Sequence, residues 1–223
     1  MRSYGQFCAL ARALDVVGDR WTLLIVRELF ARDSRYTDLR DALPGIATNL
    51  LADRLRQLEA AGVIESYEAA PPVRATVYRL TPRGLELRQA VRELVSWGAP
   101  LLETGQGDDE FRTQWLALPV RIIFTGVDVS DLAPLTVLVR PGGEPATLEV
   151  RRDGLDMNLG APPDGVDVEV EGEPEEILRF LTGAADARTL GVNVRGARND
   201  VRRLRAVTAR SPIAIGATPA FAP

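Results

Sequence analysis

The sequence contains no histidine and no lysine, and Cys8 is its one cysteine among 223 residues. A single cysteine excludes an internal disulfide framework, because each bridge needs two thiols. Without histidine, zinc sites and nucleophile–base catalytic sets lose their commonest side chain. No spacing of carboxylates singles out a pair for acid–base work either. We therefore expect a protein that is not an enzyme and that needs no metal or cofactor.

Long hydrophobic runs are also missing. The apolar runs extend over a few residues, whereas a membrane-spanning helix needs about 20. The first residues, MRSYGQF, lack the apolar core of a signal peptide. The sequence therefore predicts a cytoplasmic protein that does not associate with a membrane.

Charge is unevenly distributed. All 27 basic residues are arginines, against 31 acidic residues. Residues 1–104 hold 14 Arg and 13 acidic residues (+1), and residues 105–223 hold 13 and 18 (−5), which gives the net charge of −4. Because contacts with phosphate need basic side chains, we do not expect the acidic half to touch nucleic acid. The length suffices for two domains.

The segment TNLLADRLRQLEAAG, residues 48–62, has the pattern of an amphipathic helix. Leu51, Leu55 and Leu58 form one apolar stripe, Thr48 is the expected N-cap, and Gly62 ends the helix. Before it, SRYTDLRDALPGI predicts a shorter helix capped by Thr37 and ended by Pro-Gly. After it, VIESYE and ATVYRLTP predict two strands around a Pro-Pro turn. This order predicts a winged helix-turn-helix whose second helix reads bases.

Three further helices complete this half. The segment FCALARALDVVG has Leu10, Leu14 and Val17 on one side, and Gly18 is the expected break before the next helix. WTLLIVRELF, with Asp19 as the expected cap, is apolar enough to be buried nearly all round. PRGLELRQAVRELVSWG, opened by Thr81 and Pro82, carries more apolar positions than one winged helix covers. A partner subunit is the expected cover.

The start of the 48–62 helix points at the bases in this docking geometry. Asn49 is our first choice for direct readout, because its amide donates to and accepts from adenine. Arg54 and Arg56 either reach phosphate or a base edge, or form solvated pairs with Asp53 and Glu59. Arg74 suits a minor-groove or phosphate contact, with plain solvent exposure as the alternative. The candidate DNA-binding residues are Thr48, Asn49, Asp53, Arg54, Arg56, Arg74 and Arg40.

The order CALARALDVVGDRWTLLIVREL, RYTDLRDALPGIATNLLADRLRQLEAAGVIE and VYRLTPRGLEL resembles the HxlR-type winged-helix transcriptional regulators over roughly residues 7–98. The resemblance implies a homodimer whose N-terminal and last helices form the interface. It also implies a palindromic operator in double-stranded DNA and, in some members, a small-molecule or redox signal. Cys8 is followed by Ala9, where the family usually has Cys-Pro. We weigh a redox role for Cys8 against a small buried hydrophobe in an amphipathic helix.

The second half begins after a polar linker, TGQGDDE. FRTQWLALPVRIIF is predicted to be helical at least as far as Leu118, with Pro119 either kinking or ending the helix. LTVLVR, ATLEVRR, LDMNLG and VDVEVEG alternate apolar and polar residues, which predicts an antiparallel meander. A helix from Pro174, a last strand in TLGVNVRG and a last helix in NDVRRLRAVTAR follow. We expect an α+β domain, its antiparallel sheet packed by helices.

DGLDMNLG, a helix ending LTG, and GVNVRGARNDVRRLRAV resemble the sterol carrier protein type 2-like fold over roughly residues 108–210. This resemblance implies a hydrophobic cavity for an apolar molecule, and the alternative is a filled core. The candidate ligand-binding residues are Trp115, Leu118, Ile122, Phe124, Leu138, Met157, Phe180 and Leu181. The arginines of the last helix, Arg198, Arg202, Arg203 and Arg205, are either an extra nucleic-acid surface or, as we favour here, a solvated face.

The sequence thus predicts a homodimeric transcriptional regulator that binds operator DNA and senses a hydrophobic small molecule. The alternatives are a regulator with a redox-sensing Cys8 and a purely structural second domain, or a lipid-binding carrier protein. The expected segments are a winged helix-turn-helix and dimerisation domain at 1–103, a linker at 104–110, a sterol carrier-like domain at 111–210 and an apolar tail at 211–223.

Overall fold

The computed structural model describes residues 3–70, 74–104 and 107–212, without the side chains at 100, 103, 104, 118 and 122. The chain forms two compact units, Met1–Val91 and Arg92–Pro223. The predicted turn at Pro71 and Pro72 and most of the predicted apolar tail lie outside the described residues.

The first unit is a winged helix-turn-helix, as the sequence predicted. Its helices are α1 (Ala9–Val17), α2 (Thr22–Ala31), α3 (Tyr36–Ala42), α4 (Thr48–Ala60) and the first part of α5 (Pro82–Gly98). Its strands are β1 (Ser34–Arg35), β2 (Ile64–Glu68) and β3 (Thr76–Leu80), which form an antiparallel sheet in the order β1-β3-β2. Helix α2 has no exposed residue, which confirms the prediction that it is buried nearly all round.

Three of the four predicted helix caps are wrong. Helix α4 begins at Thr48 itself, with Ala47 in the cap position and no side-chain cap. Asp19 accepts a hydrogen bond from the Trp21 N–H (3.0 Å), one residue before α2 begins. Helix α3 begins at Tyr36 rather than after Thr37. Packing of the apolar stripes sets these helix starts, because a cap contributes only about 1 kcal/mol.

The start of α5 packs tightly against the end of the helix-turn-helix. Thr81 accepts a hydrogen bond from the Gly84 N–H (3.1 Å), which confirms Thr81 as the cap. Its hydroxyl donates to the Gly62 carbonyl at 2.6 Å. A Cβ atom at Gly84 would lie 2.1 Å from the carbonyl oxygen of Val63, so only glycine permits this approach.

The second unit combines helices with a single sheet. Its helices are the second part of α5, a 3-10 helix (Ala99–Thr104), α6 (Thr113–Ile123), a short 3-10 helix (Ser130–Leu132), α7 (Pro174–Leu181) and α8 (Arg198–Thr208). Its strands are β4 (Leu135–Arg140), β5 (Ala146–Arg151), β6 (Gly154–Leu159), β7 (Val168–Glu171) and β8 (Asn193–Gly196). Predicted helices and strands are therefore found in the expected places.

The sheet of the second unit is mixed, so the prediction of an antiparallel sheet is wrong. Its strand order is β6-β5-β4-β7-β8. Strand β7 pairs parallel with β4, with Val137 opposite Val168, and all the other pairs are antiparallel. Eight residues separate β6 from β7. They carry the chain back to the start of β4, where the Asp167 carboxylate accepts from the Thr136 N–H at 2.8 Å.

One face of this sheet carries the core. Val137, Val139, Leu148, Val168 and Val170 point into a cluster with apolar residues of α6, α7 and α8. Helix α6 continues beyond Pro119 to Ile123, so Pro119 does not end it. An interior proline costs about 3 kcal/mol. The burial of Leu116, Val120 and Ile123, each 1% exposed or less, offsets that cost.

Candidate nucleic-acid interface

The candidate interface is the outward face of α4. Leu51, Leu55 and Leu58 are each no more than 1% exposed and anchor the helix on its inner side. The polar residues Thr48, Asn49, Asp53 and Arg56 are all exposed. A helix with this division presents its N-terminal residues and one polar face to a partner, as a recognition helix does.

The start of α4 is held by the helix before it. The Tyr36 hydroxyl donates to the Thr48 carbonyl oxygen at 2.7 Å. Gly45 has φ +84°, a conformation that favours glycine, and it forms the turn between α3 and α4. Leu39 on α3 and Leu43, directly after it, are each no more than 1% exposed. The two helices of the motif are therefore joined by a turn, a hydrogen bond and packing.

The two arginines predicted on α4 differ in their surroundings. The Arg54 guanidinium lies 3.2 Å from the Asp19 carboxylate and donates to the Gln57 side chain at 2.7 Å. Its side chain is 24% exposed. Arg56, with a side chain 74% exposed, pairs with Asp53 on the same helix face. Arg56 is therefore the arginine of α4 that a partner molecule reaches first.

Arg40 and Arg74 are both exposed. The Arg40 guanidinium lies 3.1 Å from the carboxylate of its neighbour Asp41 on α3. Arg74 precedes β3 and forms no ion pair with another residue that the structure describes. Both side chains remain predictions as DNA contacts.

The wing carries a polar cluster that the sequence analysis missed. The Arg79 guanidinium donates to the Glu65 carboxylate at 2.7 Å and lies 5.0 Å from the centre of the Tyr67 ring. The Tyr67 hydroxyl donates to the Asp33 carboxylate at 2.9 Å, and this bond raises the pKa of Tyr67. The bond to Glu65 likewise raises the pKa of Arg79. The sequence offered no local signal for this cluster, because its members come from β2, β3 and Asp33.

Cys8 is exposed and lies directly before α1, so it is not the buried small hydrophobe that the sequence favoured. Nearby, Asp15 of α1 holds Ser3 and Tyr4 through hydrogen bonds. Its carboxylate accepts hydrogen bonds from the Tyr4 N–H and the Ser3 hydroxyl, both at 2.8 Å, and these bonds lower the pKa of Asp15.

The predicted ligand-binding residues do not share one environment. Phe124, Met157, Phe180 and Leu181 belong to the buried core. Leu138 pairs with Thr147 on the opposite sheet face, and Trp115 is half-buried. The side chains of Leu118 and Ile122 are not among the described ones.

Over the described ranges, no three histidine, cysteine or carboxylate groups lie together as a metal site would require. No helix among these residues is both long and apolar enough to cross a membrane.

The model of the HxlR-like helix-turn-helix family matches residues 16–106. An uncharacterized HTH-type transcriptional regulator of Synechocystis sp. is 38% identical over 101 residues, 44% of this chain and 73% of that protein. The regulator YvaP of Bacillus subtilis is 32% identical over 41% of this chain and 85% of its own length. The reduced form of YodB from B. subtilis is 27% identical over 45% of this chain and 99% of that structure, with a TM-score of 0.39.

The matched residues contain all of α2, α3, α4, both wing strands and α5. The match therefore includes the helices that build the candidate interface. The chain belongs to the HxlR-like helix-turn-helix family.

Proposed function

We propose that the protein is a homodimeric transcriptional regulator that binds operator DNA through α4. The observation that carries this proposal is the exposed polar face of α4, with Asn49 at its start and Arg56 two turns later, on a helix fixed by α3. Membership of a family whose relatives are named transcriptional regulators supports it. Asn49 would read a base and Arg56 would contact phosphate or a base edge.

The apolar surface supports the homodimer. Helix α1 has one buried residue, Ala11, while Phe7, Leu10 and Leu14 are exposed. In the second unit, Leu94, Trp97, Leu101 and Leu102 are exposed as well. A soluble protein rarely leaves such apolar surface uncovered. We propose that a second copy covers it, with α1 and α5 as the interface that the family resemblance implies.

Dimerisation would set the affinity for DNA. Two recognition helices read successive major-groove sites when they lie about 34 Å apart, one helical turn of the duplex. Each α4 alone offers few contacts, so operator affinity would depend on both copies. A signal that alters the spacing of the two helices would therefore switch binding.

The test is a gel shift with the promoter region of the protein's own gene. Asn49→Ala should relax discrimination at one base pair by about 1–3 kcal/mol. Arg56→Ala should weaken binding and reduce the salt dependence by about one phosphate contact. Arg152→Ala, an exposed arginine in the β5–β6 turn, is the charge-matched control and should bind like wild type. Unchanged shifts with both α4 variants would contradict the proposal.

We further propose a sterol carrier-like second unit that takes an apolar effector. The supporting observation is one sheet face covered by α6, α7 and α8 around an apolar core. Because Met157 and Phe180 are at most 2% exposed, a ligand would have to part packed side chains. Native mass spectrometry with a long-chain fatty acid should show a 1:1 adduct that also lowers DNA affinity. An adduct that leaves DNA affinity unchanged favours a lipid carrier, and no adduct favours a purely structural unit.

The exposure of Cys8 favours one alternative signal. Because Cys8 immediately precedes α1, two copies that pair through α1 could form a Cys8–Cys8 disulfide under a mild oxidant. A covalent dimer should then appear on a non-reducing gel and should be absent for Cys8→Ser. If oxidant changes neither the gel nor DNA binding, the thiol has no regulatory role.

A further inference from the structure

The arginines of α8 fall into two groups. Arg203 donates to the Leu132 carbonyl and pairs with Asp200, both at 3.1 Å. Arg210, just beyond the helix, pairs with Asp131 at 2.5 Å and donates to the Asp128 carbonyl at 2.8 Å. Both guanidinium groups are bound by the protein's own oxygen atoms. These two arginines therefore have a structural role.

Arg198, Arg202 and Arg205 form the second group, which we call the α8 stripe. They stand at positions i, i+4 and i+7 of the helix, and all three are exposed. Arg202 donates to the Asn199 side chain at 2.6 Å, and within the described residues none of the three pairs with a carboxylate. A shallow hollow of about 430 Å³ is lined by the stripe and Val201. The stripe thus presents three cations on one helix face.

A second hollow continues the stripe. It has a volume of about 500 Å³ and shares Arg205, with Arg188 on its other side. Its one carboxylate, Asp186, accepts hydrogen bonds from the N–H groups of Arg188 and Thr189 at 2.9 and 3.0 Å. Asp186 therefore offsets a single charge of this surface.

Local charge, not the net charge of the unit, decides what the stripe attracts. Residues 105–223 are acidic overall, yet charges farther away than about 8–10 Å are screened at physiological salt. Successive members of the stripe lie about 4.5–6 Å apart along the helix axis. A polyanion with closely spaced charges therefore meets several guanidinium groups at once, and guanidinium binds phosphate oxygens in a bidentate manner.

Two classes of polyanionic partner fit three arginines, namely a duplex backbone and an anionic membrane. A helix that lies on a membrane buries large apolar side chains beside its cations. Helix α8 has no exposed one to offer, because Leu204 and Val207 are at most 1% exposed and face the core. Half-buried Val201 is the one large apolar side chain beside the stripe, and the three exposed guanidinium groups suit a phosphate backbone that is contacted without base readout.

We propose that the α8 stripe binds the phosphate backbone of duplex DNA and gives the protein a sequence-independent affinity for it. This inference rests on the proposed function, which supplies duplex DNA as the polyanion. The three arginines of the stripe would contact phosphate groups and no base. Its loss should therefore weaken binding to every sequence by the same factor.

The test uses the full-length triple variant Arg198→Gln/Arg202→Gln/Arg205→Gln. Fluorescence anisotropy with the promoter duplex and a scrambled duplex, over a series of salt concentrations, gives the affinity and its salt dependence. We expect equal fold losses on both duplexes. The slope of log affinity against log salt should fall by about 0.9 for each lost contact, up to about 2.7.

A matched control removes three charges elsewhere in the same unit. Arg140, Arg151 and Arg195 are exposed but paired with Glu169, Glu149 and Glu171. Their triple glutamine variant should leave the slope and the affinity near wild type. An equal fall in both triple variants would overturn the proposal, because net charge would then explain it. Matching thermal unfolding curves for wild type and the stripe variant exclude a folding defect.

Other outcomes separate this inference from the proposed function. If Arg56→Ala loses promoter binding and the stripe variant binds like wild type, the stripe proposal fails alone. If wild type binds no duplex, both fail. If wild type binds vesicles containing anionic phospholipid, and the stripe variant loses this binding with its DNA slope unchanged, the partner is a membrane and the DNA assignment is overturned.

Discussion

The hydroxyl of Tyr36, the first residue of α3, donates a hydrogen bond of 2.7 Å to the carbonyl oxygen of Thr48, the first residue of α4. The bond joins the helix that would cross the DNA backbone to the helix that would enter the groove. The Thr48 carbonyl at the start of α4 is thus held by a side chain of α3. The hydrogen bond therefore ties the start of α4 to the start of α3.

We expect Tyr36→Phe to weaken operator binding by about fivefold, because it removes a bond of about 1 kcal/mol and leaves the ring in place. Anisotropy titration with the promoter duplex measures the change. The matched control is Tyr78→Phe, since the Tyr78 hydroxyl has no hydrogen-bond partner among the described residues. Equal affinity of Tyr36→Phe and wild type would show that the bond does not aim α4.

Two glycines of α5 provide a stability test. Gly84→Ala should lower the free energy of unfolding by about 1–3 kcal/mol, because its Cβ would press against the Val63 carbonyl oxygen 2.1 Å away. Gly98→Ala, whose Cβ would meet no atom within 4 Å, should instead raise it by up to about 1 kcal/mol. Thermal unfolding followed by circular dichroism separates the two. Opposite signs are the result we expect, and two losses of equal size would contradict the packing described.

The sequence predicts the fold of the first unit more completely than that of the second. In the first unit, the apolar stripe at Leu51, Leu55 and Leu58 predicted helix α4, because a period of about 3.6 residues specifies a helix. The Pro-Gly turn before it predicted the helix-turn-helix, because a short turn leaves two helices few relative arrangements. In the second, alternation placed the strands but not their partners. Period two tells which face a residue occupies and says nothing about strand direction.

One signal for the mixed sheet was present in LTVLVR. Leu135, Val137, Leu138 and Val139 are all buried, so both faces of β4 are covered. Such nearly continuous apolar runs are typical of central strands, which take partners on both sides. The strand at VDVEVEG could therefore have been predicted to pair with β4 instead of with β6.

The sequence predicted which residues of α4 belong to the candidate site, but it did not predict which residues they pair with. Arg54 and Arg56 look alike in the sequence, yet Arg54 pairs with Asp19, 35 positions away. A contact of this separation depends on the packing of α4 against the loop before α2, which no local pattern encodes. The wing cluster around Arg79 was missed for the same reason, since its partners come from β2 and from Asp33.

The exposed face of α1 predicts the behaviour of an interface variant. Leu10→Glu should convert the proposed dimer to a monomer without unfolding it, because Leu10 is 67% exposed in the single chain and would be buried by a second copy. Analytical ultracentrifugation measures the change, and promoter binding should fall with it. Val166→Glu makes the same substitution at another exposed apolar residue and should leave the mass unchanged. A wild-type protein that sediments as a monomer would contradict the interface.

The pair Asp131–Arg210 makes stability depend on acid pH. The hydrogen bond from Arg210 holds the pKa of Asp131 below its ordinary value, whereas an aspartate in the unfolded chain titrates near ~3.9. A carboxylate with a depressed folded-state pKa stabilises the protein above the unfolded value and loses this contribution as the pH falls through the folded value. Asp131→Asn should therefore be less stable than wild type at neutral pH. The difference should shrink below pH ~4 and vanish in stronger acid.

Urea unfolding at a series of pH values measures this difference between wild type and Asp131→Asn. Asp164→Asn serves as the control, because Asp164 is exposed and makes no ion pair with another described residue. Its stability should follow wild type at every pH. Since Arg210 keeps its charge throughout this range, only the carboxylate of the pair titrates. The stability difference between Asp131→Asn and wild type should not grow as the pH falls. Growth would have the wrong sign for a carboxylate stabilised by a cation. It would show that Arg210 does not stabilise the charged form of Asp131 in the folded protein.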